Sequence, residues 1–236
     1  MAPEEGGPGD LTELQPDIGS HERVNDSLSG PLERPVLAWL AARMPPWVTP
    51  DILTAVGVLG SLVVFLGYLL THLHPAFLWL ASLGFVINWF GDSLDGTVAR
   101  YRDAQRPRYG FFIDHTMDAV SEYLIFVGLG MSPYVKLDIA CLALIGYLLV
   151  SLLCYVRTCV DGVFQISYTR IGPTEMRAIA VLSNTVIFFI GNPAFELPWG
   201  RATIYDLIVA LIAVVLTVGF LVSTLSRARQ MAALGE

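Results

Sequence analysis

The sequence predicts an all-α integral membrane protein with six transmembrane helices preceded by a short interfacial amphipathic helix. Three observations carry that expectation. Apolar residues make up 54% of the 236, only 15% are charged, and the mean hydropathy is +0.59; an ordinary soluble domain has roughly 25% charged residues. Apolar stretches near the length needed to cross a bilayer as a helix, about 20 residues, recur along the chain. The basic residues fall almost entirely on one side of those stretches. The same composition argues against a disordered chain and a typical soluble enzyme. With 14 basic residues against 21 acidic ones there is no footprint for nucleic acid. Cys141, Cys154 and Cys159 are too few for a disulfide scaffold and lack metal-site spacing.

The chain divides at about residue 30. Residues 1–33 hold eight acids and one base, Arg23, which is the whole net charge of −7. Residues 1–30 are rich in Gly, Pro and Ser and have no apolar run, so a disordered acidic N-terminal tail is expected, with no signal-peptide pattern. The membrane domain is expected over 31–236. It opens with Pro31 to Met44, where Leu32, Val36, Leu37, Leu40 and Ala41 recur at helical spacing, as in a helix lying on a membrane surface.

The spans follow in order. Ile52 to Leu70 is uncharged throughout. Pro75 to Gly91 is the second, its helix continuing through Arg100. Gly110 to Gly130 is the third in chain order, and contains Asp114, Asp118 and Glu122. Ile139 to Val156 and Leu207 to Leu225 are unambiguous, and Met176 to about Phe195 is shorter, with Asn184 inside it. Six spans put both termini on one side. If that side is the cytoplasm, 12 basic residues lie inside and only Lys136 and Arg201 outside, as the positive-inside rule requires. Trp39, Trp47, Trp199 and Tyr205, near span ends, are expected to be interfacial anchors.

The chemistry concentrates between Asp92 and Asp118. A carboxylate at membrane depth costs roughly 2.5–3.5 kcal/mol on insertion scales, so several gather there only for a reason. Asp92 and Asp95 are three apart and share a helix face; Asp114, Asp118 and Glu122 are spaced by four and share another. The short connection from Tyr101 to Tyr109 brings both helix ends together. Such a cluster implies a hard divalent cation, Mg²⁺ or Mn²⁺, with oxygen ligands, and suits a diphosphate. Gly96 leaves room for a ligand beside the helix. Arg100 offers charge to phosphate oxygens, whereas Arg102, Arg106 and Arg108 read chiefly as topology-setting bases.

These residues resemble the signature of the CDP-alcohol phosphotransferase family, D-x2-D-G-x2-A-R-x8-G-x3-D-x3-D. Asp92, Asp95, Gly96, Ala99, Arg100, Gly110, Asp114 and Asp118 match its fixed positions, with nine residues rather than eight between Arg100 and Gly110. Thr49-Pro50-Asp51 stands where the family often has Pro-Asn. The resemblance implies a phospholipid-synthesising transferase working with two metal ions held by Asp92, Asp95, Asp114 and Asp118. Asp118 would be the general base, with CMP as the leaving group. Gly96, Ala99, Arg100 and Gly110 would bind the CDP part. A homodimer is implied as well.

Substrate choice stays open between CDP-diacylglycerol donating to an alcohol, the leading reading, and CDP-choline or CDP-ethanolamine donating to a lipid hydroxyl. The pair Asp114-His115 resembles the second branch, although helix packing is the leading account of His115 itself. Glu122, Arg157, Glu175 and Arg177 are candidate acceptor-binding residues. Their alternatives are ion pairing for Glu122, snorkelling for Arg157, and capping or flanking of a helix that begins after Gly172-Pro173 for Glu175 and Arg177. A carrier or channel for divalent cations would also place acids in the membrane, but leaves their clustering beside Gly96 and an arginine-rich loop unexplained.

Overall fold

The computed structural model describes residues 22–24, 29–161, 163–165, 172–198 and 200–235. Most of the predicted tail therefore lies outside the described residues, as do Arg170 and Trp199. Within 1–30, β1 (Glu22–Val24) pairs in parallel with β2 (Val163–Gln165), and Gly30 begins α1 (Gly30–Ala41). The remaining elements are α2 (Pro50–Leu70), α3 (Phe77–Tyr101), α4 (Pro107–Gly130), α5 (Leu137–Asp161), α6 (Pro173–Ile190), the antiparallel pair β3 (Ala194–Leu197) and β4 (Gly200–Thr203), and α7 (Ile204–Leu234). Among the described residues the protein is thus helical apart from two small ribbons. Four helices, α2, α3, α5 and α7, are long and apolar enough to cross a membrane. The carboxylates of α4, and the 18-residue length and polar side chains of α6, set those two apart.

α2 and α3 form the scaffold of the site. Thr49 caps α2, its hydroxyl accepting from the Ile52 amide at 3.2 Å, and Pro50 occupies the first turn, where its missing N–H costs nothing. The two helices meet backbone to backbone. A Cβ on Gly60 would lie 2.3 Å from the Asn88 nitrogen, and one on Gly91 2.3 Å from the Gly57 nitrogen. Small residues are what allow such approach between apolar helices. Asn88 closes the seam by donating to the Gly57 carbonyl at 3.0 Å and to Ser61 Oγ at 2.9 Å.

α4 lies against α2 through Gly128, whose Cβ position would be 2.7 Å from the Phe65 Cα. The larger buried cluster gathers Val64, Tyr68, Phe85, Leu129, Ile187 and Val209 with their neighbours. The smaller one joins α1 to α3: Leu37 and Ala41 pack with Val48, Leu53, Leu94 and Val98. α1 is a helix where one is expected, but its apolar residues divide. Leu37 and Ala41 turn inward, whereas Leu32 and Val36 are exposed.

Two expectations are corrected. The stretch expected to run to Phe195 stops at Ile190, because Gly191 takes a positive φ of 85° and Pro193 follows closely. Residues 194–197 are instead a strand. Tyr205 is not an interfacial anchor: it is 2% exposed, and its hydroxyl donates to Asn184 Oδ1 at 2.8 Å. Tyr68 donates to the same oxygen at 3.0 Å, and Asn184 donates to Ser82 Oγ at 3.2 Å. Asn184 is therefore a buried knot among α2, α3, α6 and α7. Trp39 and Trp47 are exposed, and all three cysteines are free.

Candidate active site

The site forms where α3 ends and α4 begins. Their connection is short, with Asp103 at a positive φ of 51° making the reversal. Arg102 fastens it by donating to the carbonyls of Val48, Met44 and Pro45. Arg106 pairs with Asp51 at the head of α2, which raises its pKa, and it lies over the Tyr109 ring at 4.2 Å. Arg102 and Arg106 thus join the loop to α2 and the segment before it, a structural employment that positive-inside patterning does not reveal. Asp51, where the family often has Asn, is occupied by Arg106.

Helical spacing then turns the carboxylates toward one another. Asp92, Asp114 and Asp118, all half-buried, each place an oxygen within 4.8 Å of the others. The donor set is three carboxylates and nothing softer, which fits a hard cation such as Mg²⁺ or Mn²⁺. Asp95 is oriented differently: it is buried, and its Oδ2 accepts from Thr54 of α2 at 2.6 Å. The structure therefore brings three of the four predicted ligands together and engages the fourth with α2.

Arg177 enters from α6. Its Nη2 lies 2.5 Å from Asp92 Oδ2, an ion pair in surroundings where neither partner is well exposed. Sequence reasoning placed Arg177 near the active-site end but gave it no partner. Glu175, two residues earlier, is a helix cap, with Oε2 accepting from the Gly172 amide and Oε1 from the Ser29 amide, both at 2.8 Å. Glu122 lies one turn beyond Asp118, and its buried Oε2 has no hydrogen-bond partner among the described residues. It lines a cavity of about 110 Å³ with Asp118, Arg177, Phe85, Phe126 and Tyr147. Arg157 is half-buried near the C-terminal end of α5.

The residues expected to receive the CDP part lie along the open edge. Gly96 and Ala99 are half-buried on α3, and Arg100 is exposed, donating to Thr97 Oγ1 at 3.2 Å. A Cβ on Gly96 would stand 3.3 Å from Arg100 Nη1, so the absent side chain leaves the guanidinium its place. Gly110, in the first turn of α4, has open space where a Cβ would project. His115 packs between Phe111 and Tyr155, with ring centroids 4.3 and 4.8 Å away, and its Nδ1 is 3.8 Å from Asp118 Oδ2. It is a packing histidine that also faces the carboxylate cluster.

The family model described as CDP-alcohol phosphatidyltransferase matches residues 47–225, from the loop before α2 into α7. The chain belongs to that family. Among its relatives, a cholinephosphotransferase 1 of Gallus gallus is 32% identical over 43% of this chain and 32% of its own length. An archaetidylinositol phosphate synthase of Pyrococcus horikoshii is 30% identical over 55% of this chain and 63% of its own. The corresponding synthase of Methanothermobacter thermautotrophicus is 31% identical over 61% and 70%. The chain thus spans about a third of the first of these relatives and just under two thirds of the second. Members of the CDP-alcohol phosphatidyltransferase family are metal-dependent transferases of phosphate-containing groups, and the carboxylate triad of α3 and α4 suits that chemistry.

Proposed function

We propose that this protein transfers a substituted phosphoryl group from a CDP-linked donor to an alcohol hydroxyl, releasing CMP and forming a phospholipid. The observation that carries the reading is the convergence of Asp92, Asp114 and Asp118 inside a chain matched to the family over 47–225. Asp92, Asp95, Asp114 and Asp118 would hold Mg²⁺ or Mn²⁺, two ions in all. When bound there, the ions would neutralise charge on the diphosphate and on the departing CMP.

The chain's own residues divide the remaining work. Gly96, Ala99 and Gly110 keep the edge of α3 and α4 low enough for the nucleotide to approach, and Arg100 offers donors to its phosphates. Asp118 accepts the proton of the acceptor hydroxyl at a carboxylate oxygen, and that hydroxyl oxygen attacks the β-phosphorus as the bond to CMP breaks. Arg177 holds one oxygen of Asp92 and so fixes the other toward the site. Glu122 presents an unsatisfied oxygen to the cavity that Arg177 also lines, and the acceptor is assigned to that side, with Arg157 and Glu175 as further candidate contacts.

Two donors fit this scheme. CDP-diacylglycerol donating to a soluble alcohol is the leading reading, supported by two archaeal synthases that match over most of their own length. A CDP-aminoalcohol donating to a lipid hydroxyl is favoured by His115 beside Asp118 and by the cholinephosphotransferase match. Release of CMP from each labelled donor by the purified protein in Mg²⁺ decides between them. No turnover with any CDP-linked donor overturns the assignment.

We place all six of α2 to α7 across the membrane, with α1 on its surface and both termini and the site in the cytoplasm, on the basis of the 12-to-2 distribution of basic residues. α4 and α6 cross with Asp118, Glu122 and Arg177 turned to a shared cavity and Arg177 paired with Asp92 of α3, rather than toward lipid. A homodimer is proposed on the family resemblance alone.

A further inference from the structure

We infer that Glu33, on the helix preceding the membrane domain's first span, is a positioning residue for the carboxylate site: it ties α3 to α6 beside the Asp92–Arg177 pair and fixes that pair's geometry. The inference rests on the metal-site reading above and assigns a role to a residue that no part of the mechanism uses.

Three hydrogen bonds carry it. Glu33 Oε1 accepts from Trp89 Nε1 at 2.6 Å and from Ser93 Oγ at 3.1 Å, both on α3, and from Thr174 Oγ1 on α6 at 3.0 Å. Trp89 and Ser93 stand three residues before and one after Asp92. Thr174 stands three residues, close to one helical turn, before Arg177. Glu33 and the Asp92–Arg177 pair are thus two neighbouring rungs between the same two helices. The α6 end of the ladder is held again by Glu175, which accepts from the Ser29 amide at the head of α1.

The bonds converge on a single oxygen, and all three donors are neutral. A carboxylate there accepts charge-assisted bonds, which are shorter and stronger than neutral ones. What the position requires is an acceptor of that reach, so glutamine can replace glutamate, whereas leucine fills the space and accepts nothing. With the upper rung lost, the first turns of α6 are held to α3 less firmly, although Asn184 still joins its middle to Ser82, and Arg177 no longer holds Asp92 in one orientation. The consequence is weaker binding of a cation by Asp92, Asp114 and Asp118. A Glu33 that merely docked α1 would affect stability and leave cation affinity alone.

The test is Mn²⁺ binding to the full-length detergent-solubilised protein, read from the paramagnetic resonance signal of free Mn²⁺, with thermal unfolding measured in parallel. Glu33→Leu is expected to raise the Mn²⁺ Kd about three- to ten-fold, below the roughly 10–100-fold that loss of a direct outer partner of a metal ligand produces, because Glu33 acts one step further out. Glu33→Gln is expected to stay within about twofold of wild type because the acceptor remains. Thr174→Val, which cuts only the link to α6, is expected to raise Kd about threefold or more and decides the matter should Glu33→Leu not fold. A folded Glu33→Leu or Thr174→Val protein with the wild-type Kd overturns the inference, as does a glutamine variant as weak as the leucine one. Failure of the wild-type protein to bind Mn²⁺ would instead remove the metal-site reading, and this inference with it.

Discussion

Arg177 of α6 donates to Asp92 Oδ2 of α3 across 85 residues of sequence, and that carboxylate is also one corner of the triad with Asp114 and Asp118. A guanidinium cannot be deprotonated in a protein, so it supplies fixed positive charge beside three acids. It also reduces the mutual repulsion that three half-buried carboxylates would otherwise impose on the folded state before a cation binds.

Replacing Arg177 by methionine therefore costs stability without metal and more with it. Without metal, Asp92 is left near two like charges with no counter-ion, and stability falls by about 1–3 kcal/mol, the penalty for stranding a partly buried polar group. With Mn²⁺ the deficit grows, because a triad whose Asp92 is no longer held binds the cation more weakly and gains less stabilisation by mass action. Thermal unfolding of wild type and Arg177→Met across a Mn²⁺ titration checks this. Equal deficits at every metal concentration would show that Arg177 does not serve the triad.

Asp118→Asn tests the proton acceptor. The amide preserves shape but cannot take a proton, so transfer falls by about 10²-fold or more, the usual contribution of a positioned base. The unfolding midpoint holds or rises, since one of three repelling charges is gone. CMP release and a melting curve on the same preparation suffice. Chelation should likewise abolish CMP release, and Mg²⁺ or Mn²⁺ should restore it. Unchanged transfer by the variant would remove Asp118 from the reaction.

Most of the site was legible because helical spacing is a local property. The three- and four-residue intervals at 92, 95, 114, 118 and 122 fix which acids share a face before any packing is known. The short polar connection then makes the two faces meet. What spacing cannot supply is the partner on a third helix. Nothing near Asp95 in sequence points to Thr54, and nothing near Arg177 points to Asp92, 85 residues away. Glu33 reads as one more acid of the charged N-terminal stretch, because a carboxylate at the start of an amphipathic helix looks solvated until its three donors are seen. Tyr205 misled for the opposite reason: position near a span end suggests an anchor, but Asn184 turns its hydroxyl inward. The end of α6, by contrast, was written in Gly191-Asn192-Pro193, and hydropathy alone carried the expected span past it.

The Asn184 knot yields a separate expectation. Asn184→Leu leaves the hydroxyls of Tyr68 and Tyr205 without their shared acceptor in a buried place, and two such losses cost about 1–3 kcal/mol each where no water replaces them. The two hydroxyls are 3.2 Å apart and can still bond to one another, which lowers the total toward a single loss. Adding Tyr205→Phe to Asn184→Leu should then cost less than Tyr205→Phe does alone, a coupling that a double-mutant cycle on unfolding midpoints would measure. Simple additivity would mean the three groups do not act as one network.

The α2–α3 seam bears on the site most directly, because α3 carries two of the four aspartates. Gly91 is the residue immediately before Asp92, and a Cβ there would lie 2.3 Å from the Gly57 nitrogen and 2.5 Å from the Leu53 carbonyl oxygen. Both are backbone atoms with no rotamer to change, so the helices must separate. Gly91→Ala is expected to destabilise by about 1–3 kcal/mol, the common cost of overpacking, or more if the seam opens along its length. It should also weaken Mn²⁺ binding, since moving α3 outward at residue 91 carries Asp92 away from Asp114 and Asp118. Gly96→Ala is the control on the same helix: its Cβ meets only the far end of Arg100, a flexible side chain, at 3.3 Å. That variant should keep the unfolding midpoint and the Mn²⁺ affinity, and raise KM for the CDP-linked donor. A Gly91→Ala protein as stable as wild type, binding Mn²⁺ equally well, would show that close approach of α2 and α3 is not what holds Asp92 in place.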